Sequence, residues 1–143
     1  MSSLNPTLTS RRILIVDDHP LVRRGLTALI DGEPDLSVCA IAATRQEALD
    51  AILANRPDVV ISDLSLDVDD GLRLVQDIGS AYEDLPVLVL SLHDAPRYSK
   101  LALQAGASGY ISKRESGEML LVAVRTVLDG KQYFKSQASL ALE

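Results

Sequence analysis

Five polar residues, far apart along the chain, have the chemistry to hold a cation and handle a phosphoryl group: Asp17 with Asp18, Asp63, Ser91 and Lys113. Each closes a short apolar run: Ile13-Leu14-Ile15-Val16, Val59-Val60-Ile61, Val87-Leu88-Val89-Leu90 and Gly109-Tyr110-Ile111. Three carboxylates brought together without a counterion repel one another, and a bound cation relieves that repulsion. Mg²⁺ suits such a set, with Mn²⁺ as the other candidate, because it takes oxygen ligands and works through one or two carboxylates plus phosphate oxygens. A carboxylate beside Mg²⁺ and an ammonium is also a plausible phosphoryl acceptor, since metal and ammonium neutralise charge on the transferring oxygens. Each residue alone has a plainer reading: Asp17-Asp18 as a polar strand terminus or N-cap, Asp63 as a turn residue. Their joint recurrence at successive strand ends favours a site.

The elements that must position these residues alternate strictly. Arg12–Asp17 reads as a buried strand, and Pro20 suits the first turn of a helix whose Val22, Leu26, Leu29 and Ile30 recur at helical spacing. Leu36–Ala42 is a second strand, and Thr44 with Glu47 forms a capping box for a helix reaching Asn55. Val59–Ile61 is the third strand. An Asp-rich loop to Gly71 precedes a helix over 72–78. Val87–Leu90, a helix from Pro96 to Gly106, Ser108–Ile111 and a helix over 115–128 complete the pattern. Five strands alternating with five helices imply βαβ units, a parallel sheet and helices on both faces. Ligands in such open sheets bind beyond the carboxyl ends of the strands.

Composition removes several function classes. The chain has 143 residues, a length suited to one domain. Its net charge of −6 argues against this segment gripping a phosphate backbone, and 3% aromatics with no Trp leave no base-stacking platform. No apolar run approaches the ~20 residues of a membrane helix, and residues 1–10 lack a signal-peptide core, so a cytoplasmic protein with no membrane partner is expected. Cys39 is the single cysteine and is expected to be inert core in an apolar strand. No G-x-G-x-x-G and no G-x-x-x-x-G-K-[ST] occurs, which removes the usual nucleotide cradles.

The segment from Ile13 to Leu26, ILIVDDHPLVRRGL, together with Asp63, Ser91 and Lys113, resembles a bacterial two-component response-regulator receiver domain. The likeness is to the NarL/FixJ subgroup, in which a LuxR-type DNA-binding domain follows the receiver, and it covers residues 11–134. The resemblance implies a doubly wound α/β fold of the flavodoxin or CheY-like (βα)5 kind, a five-stranded parallel sheet of order 2-1-3-4-5. It implies Asp63 as phosphoacceptor, Asp18 as direct Mg²⁺ ligand, Asp17 as its neighbour acting largely through water, and the Ser65 backbone carbonyl as a third protein ligand. It implies Ser91 as the switch hydroxyl, Lys113 as the partner of the phosphoryl oxygen, and Gly71 as the glycine opening the third helix. Tyr110 matches an aromatic whose rotamer follows the switch; as a residue it reads equally as core tyrosine. His93, two past Ser91, lies where family members vary, and His19 could cap the first helix or sit in solvent.

The same resemblance implies a signalling switch rather than an enzyme. It implies a sensor histidine kinase or phosphotransfer protein as donor, a homodimer through receiver helices, and DNA contacted only through a C-terminal domain absent from this chain. The expected organisation is a flexible segment over 1–10, a receiver over 11–130, and a tail or linker start over 131–143; a naturally single-domain regulator is the alternative. Two departures stand out. Asp67 and Arg114 occupy positions where the family usually has Pro, the second often with a cis bond that costs a non-Pro residue about 2.5–4 kcal/mol. A degenerate receiver that serves as a phosphorylation-independent scaffold is therefore the rival. A haloacid-dehalogenase-type phosphatase would need an acid two past its nucleophile, where this chain has Ser65. Asp67, Asp69 and Asp70 are expected either to slow anionic donors or to serve as loop and N-cap residues.

Overall fold

The computed structural model describes residues 10–64, 68–93 and 96–134. The chain divides into two compact units, residues 1–58 and 59–143.

The first unit holds β1 (Arg11–Val16), α1 (Pro20–Asp31), β2 (Leu36–Ala42) and α2 (Arg45–Asn55). β1 and β2 pair in parallel. Ile13, Leu14 and Ile15 are fully buried, as expected of an apolar run covered on both faces. Pro20 opens α1, and Leu26 and Ile30 form its buried stripe. Thr44 caps α2 by accepting from the Glu47 amide at 3.1 Å, and the Glu47 carboxylate accepts from the Ala43 amide at 2.9 Å. The expected capping box is thus present, with its return bond one residue earlier than usual. Register shifts between Ile13↔Val38 and Leu14↔Ala40, so Cys39 is the extra residue of a bulge in β2. Cys39 is only partly buried, not core as the apolar run suggested, because most of β2, from Ser37 to Ile41, is itself part-buried or exposed.

The second unit holds β3 (Val59–Asp63), α3 (Val68–Ala81), β4 (Val87–Ser91), α4 (Pro96–Ala105), β5 (Gly109–Ser112), α5 (Gly117–Leu128) and β6 (Tyr133–Phe134). These four strands run parallel in the order β3-β4-β5-β6. Every residue of β4 is buried. On α5, Leu120, Leu121, Ala123, Val124 and Val127 are buried and Val122 faces water, so the apolar stripe is wide rather than narrow.

Two elements differ from the sequence expectation. α3 begins at Val68, so Asp69 and Asp70 lie in its first turn rather than in a loop. Carboxylates there meet the positive end of the helix dipole. Gly71 therefore sits inside α3, where an added Cβ would lie 2.7 Å from Leu64 Cδ1. The second difference is β6, whose residues fell in the expected tail. It pairs Tyr133 with Gly109 and Phe134 with Tyr110, and Phe134 is buried.

Candidate functional site

Parallel register sets out the site residues of the second unit. Asp63 pairs with Leu90, and Ser91 pairs with Ser112, the residue before Lys113. Asp63, Ser91 and Lys113 therefore leave their strands at the same end of the β3-β4-β5 ladder. The ladder runs on by one bond at each step: Leu64 N–H donates to Leu90 C=O at 3.0 Å, and Lys113 N–H to Ser91 C=O at 2.8 Å. These bonds hold the backbone under the side chains that matter.

The Lys113 ammonium lies 3.0 Å from Asp63 Oδ2, and both side chains are nearly sealed from water. This ion pair is made with a trans Lys113–Arg114 bond, since no described peptide bond is cis. Ser91 is fully buried, and its Oγ accepts from the His93 amide at 2.9 Å. A hydroxyl accepting one bond still has its hydrogen to donate. Tyr110 is buried, and its hydroxyl donates to the His93 carbonyl.

In the first unit Asp17 and Asp18 follow β1 directly. Asp17 is buried, and its Oδ1 accepts from the His19 amide at 2.8 Å. The His19 ring turns the same way, with Nδ1 3.0 Å from Asp17 Oδ1 and 3.3 Å from Asp18 Oδ1. His19 occupies the N-cap position of α1 but makes no side-chain cap bond. Its imidazole faces the two acids instead. The Asp18 side chain is more than a third exposed. Ser65 and Asp67 lie outside the described residues.

One contributor had no signal in the sequence. The His93 carbonyl is what Tyr110 binds, and a main-chain oxygen leaves no compositional trace. Arg114 was visible only as a departure from the family pattern. Its Nη1 donates to the Leu92 carbonyl at 3.1 Å.

A lysine pairs with a carboxylate at the carboxyl ends of parallel strands, with a buried hydroxyl on the strand between, where doubly wound α/β proteins as a class bind their ligands. The chain belongs to the response regulator receiver domain family, whose profile matches residues 13–125. Its relatives include the oxygen regulatory protein NreC of Staphylococcus epidermidis, 37% identical over 132 residues, which span 92% of this chain and 61% of the relative. The transcriptional regulatory protein DegU of Brevibacillus brevis is 34% identical over 122 residues, 85% of this chain and 52% of the relative. The chain thus spans little more than half to three fifths of these relatives. Among solved structures, a LuxR-family two-component response regulator from Aurantimonas sp. SI85-9A1 matches with TM-score 0.86 and 31% identity, covering 94% of this chain and 100% of that one. The signal receiver domain of the response regulator NarL from Mycobacterium tuberculosis matches with TM-score 0.79 and 32% identity, covering 85% and 98%. The chain has their fold class, the doubly wound parallel α/β fold, with β6 added beside β5. It is a receiver of the NarL/LuxR type, and such receivers are signalling switches of two-component systems. No described helix is long and apolar enough to cross a membrane.

Proposed function

We propose that this chain is the phosphoacceptor receiver of a cytoplasmic response regulator, and that a sensor histidine kinase or phosphotransfer protein phosphorylates Asp63. An Asp63 carboxylate oxygen attacks phosphorus, the phosphorus–nitrogen bond of the donor phosphohistidine breaks, and the imidazole leaves with the electron pair. The product is an acyl phosphate. The Lys113 ammonium, already 3.0 Å from Asp63 Oδ2, neutralises charge on the transferring oxygens. The Ser91 hydroxyl donates its hydrogen to the phosphoryl group while its oxygen accepts from the His93 amide. Tyr110 follows through its tie to the His93 carbonyl. The added charge of about −1.5 to −2 then biases a two-state equilibrium.

Asp17, Asp18 and Asp63, with the Ser65 backbone carbonyl, would hold Mg²⁺, or Mn²⁺ in its place. The donor chemistry supports that reading: Asp17 and Asp18 stand side by side after β1 with the His19 ring 3.0 and 3.3 Å from their carboxylates, and Asp63 ends β3. Carboxylate and carbonyl oxygens suit either ion. When bound, the ion would neutralise charge on the phosphoryl oxygens.

The receiver proper is assigned to residues 11–130, with 1–10 as a lead-in and 131–143 adding β6 and then starting a linker. The proposed output is a LuxR-type DNA-binding domain outside this chain that regulates transcription, with a homodimer formed through receiver helices. The observation that carries the reading is the Lys113–Asp63 pair in a chain of this family. The test is incubation with acetyl phosphate and Mg²⁺ followed by intact-mass spectrometry. One phosphoryl group per chain is expected, and none in Asp63→Ala. Absence of label on Asp63 in the unmodified chain would leave only the scaffold reading.

A further inference from the structure

Three consecutive carbonyls at the end of β4 each accept a hydrogen bond from the end of β5. Ser91 C=O accepts from Lys113 N–H at 2.8 Å. Leu92 C=O accepts from Arg114 Nη1 at 3.1 Å. His93 C=O accepts from the Tyr110 hydroxyl. The first bond continues the sheet. The other two come from side chains, because the β4–β5 backbone ladder has ended and a main-chain carbonyl needs a partner wherever water does not supply one.

Burial does little to hold this segment in place. Leu92 is 50% exposed, so its side chain adds little buried area to hold the segment. The His93 ring stacks on Tyr98 at 4.5 Å, which restrains the far side of the turn. Hydrogen bonds to the main chain must do the rest. They matter because the His93 amide is the donor to Ser91 Oγ and the His93 carbonyl is the acceptor for Tyr110. Any drift of residues 92 and 93 moves both groups at once.

Arg114 is well built for this task. Its own amide is fixed by donating to Ser112 Oγ at 3.1 Å. Its guanidinium is planar and carries five donors in a fixed fork. It also follows Lys113 directly, so one residue reaches back to Asp63 and the next reaches across to Leu92.

We propose that Arg114 is a positioning residue: its guanidinium clamps residues 92–93 to the end of β5 and so sets where Ser91 and Tyr110 stand when Asp63 carries a phosphoryl group. The proposal rests on the phosphoacceptor reading for its kinetic consequence, but the clamp itself can be measured without phosphorylation.

The experiment compares the unmodified chain with Arg114→Ala, Arg114→Gln and Arg114→Lys, after thermal melts establish that each folds. Amide hydrogen exchange at His93, read by NMR on the unphosphorylated protein, is expected to quicken roughly tenfold in Arg114→Ala, and less in Arg114→Lys, which keeps a donor. Labelling of Asp63 by acetyl phosphate is then timed in high salt, which screens any steering of the donor by the arginine charge. There Arg114→Ala should be slower by about three- to tenfold, the scale of one charge-assisted hydrogen bond, with Arg114→Lys recovering most of the rate. Arg114→Gln should fall between them, since it donates without charge. Unchanged His93 exchange in Arg114→Ala would overturn the clamp. Faster exchange with unchanged labelling would overturn its positioning role. A chain that exchanges as expected but takes no label on Asp63 would instead overturn the phosphoacceptor reading.

Discussion

The Lys113 ammonium lies 3.0 Å from Asp63 Oδ2 with only 11% and 4% of the two side chains exposed. Buried pairs of this kind contribute little net stability over an apolar pair, because desolvation offsets their attraction, but breaking one from a single side leaves a stranded charge. Lys113→Ala should therefore destabilise the fold by about 3 kcal/mol or somewhat less, since Lys113 keeps some water. Asp63→Ala made in the same chain should recover much of that loss. Urea melts of the two single variants and the double variant measure the coupling, and additivity within about 0.5 kcal/mol would show that the pair is not energetically linked.

Asp69 and Asp70 stand in the first turn of α3, a few residues past Asp63. Their charges favour the helix but oppose an incoming anionic phosphodonor. Asp69→Asn with Asp70→Asn should speed labelling by acetyl phosphate by roughly two- to fourfold at low salt, with the gain fading as screening shortens the reach of the charges. Equal rates at low and high salt would remove the steering argument.

Gly109 is boxed in by its neighbours: an added Cβ would lie 2.8 Å from Leu88 Cδ1, 3.0 Å from the Tyr133 carbonyl oxygen and 3.2 Å from Val127 Cγ1. The Leu88 methyl can swing away, but the Tyr133 oxygen belongs to the backbone of β6. Gly109→Ala should cost about 1–3 kcal/mol, the range for overpacking, and should loosen β6 first. Thermal melts would report the first effect and amide exchange at Tyr133, which donates to Ser108 C=O, the second.

Burial pushes the Cys39 thiol above its ordinary pKa, with nearby Arg12 opposing the shift. A thiol raised in the folded state keeps its proton longer than in the unfolded chain. Its contribution to stability is therefore complete below the unfolded pKa and disappears as pH climbs through the raised one. Cys39→Ser should flatten the alkaline end of the stability–pH profile. In the folded protein, Cys39 should also react with a disulfide reagent at neutral pH more slowly than a free thiol does. A rate equal to that of the denatured chain would contradict this.

Much of the fold was legible because burial follows short-range pattern. The runs at Ile13–Val16 and Val87–Leu90 are too short and too uniformly apolar to be half-exposed helices, and they are buried strands. Thr44 and Glu47 announced the start of α2. Misreadings arose where a local rule had two outcomes. Asp69 and Asp70 fit a loop or a first helical turn equally well, and the helix took them. Tyr133-Phe134 is too short to show any period, and it becomes a strand only because β5 offers an unpaired edge. Cys39 sits in an apolar run, yet the middle of β2 is only half covered, and Cys39 with it.

From the order of residue types alone came the alternation of strands and helices and the placing of Asp17, Asp18, Asp63, Ser91 and Lys113 where strands end, because periodicity and strand length are properties of neighbouring residues. Whether Lys113 reaches Asp63 across the β4 strand, what the Tyr110 hydroxyl binds, and that Arg114 reaches the Leu92 carbonyl depend on register between segments more than twenty residues apart for two of the three, and on main-chain oxygens that every sequence contains. Only the packed chain decides such pairings, because the energy that selects them is shared across the whole sheet and written in no single segment.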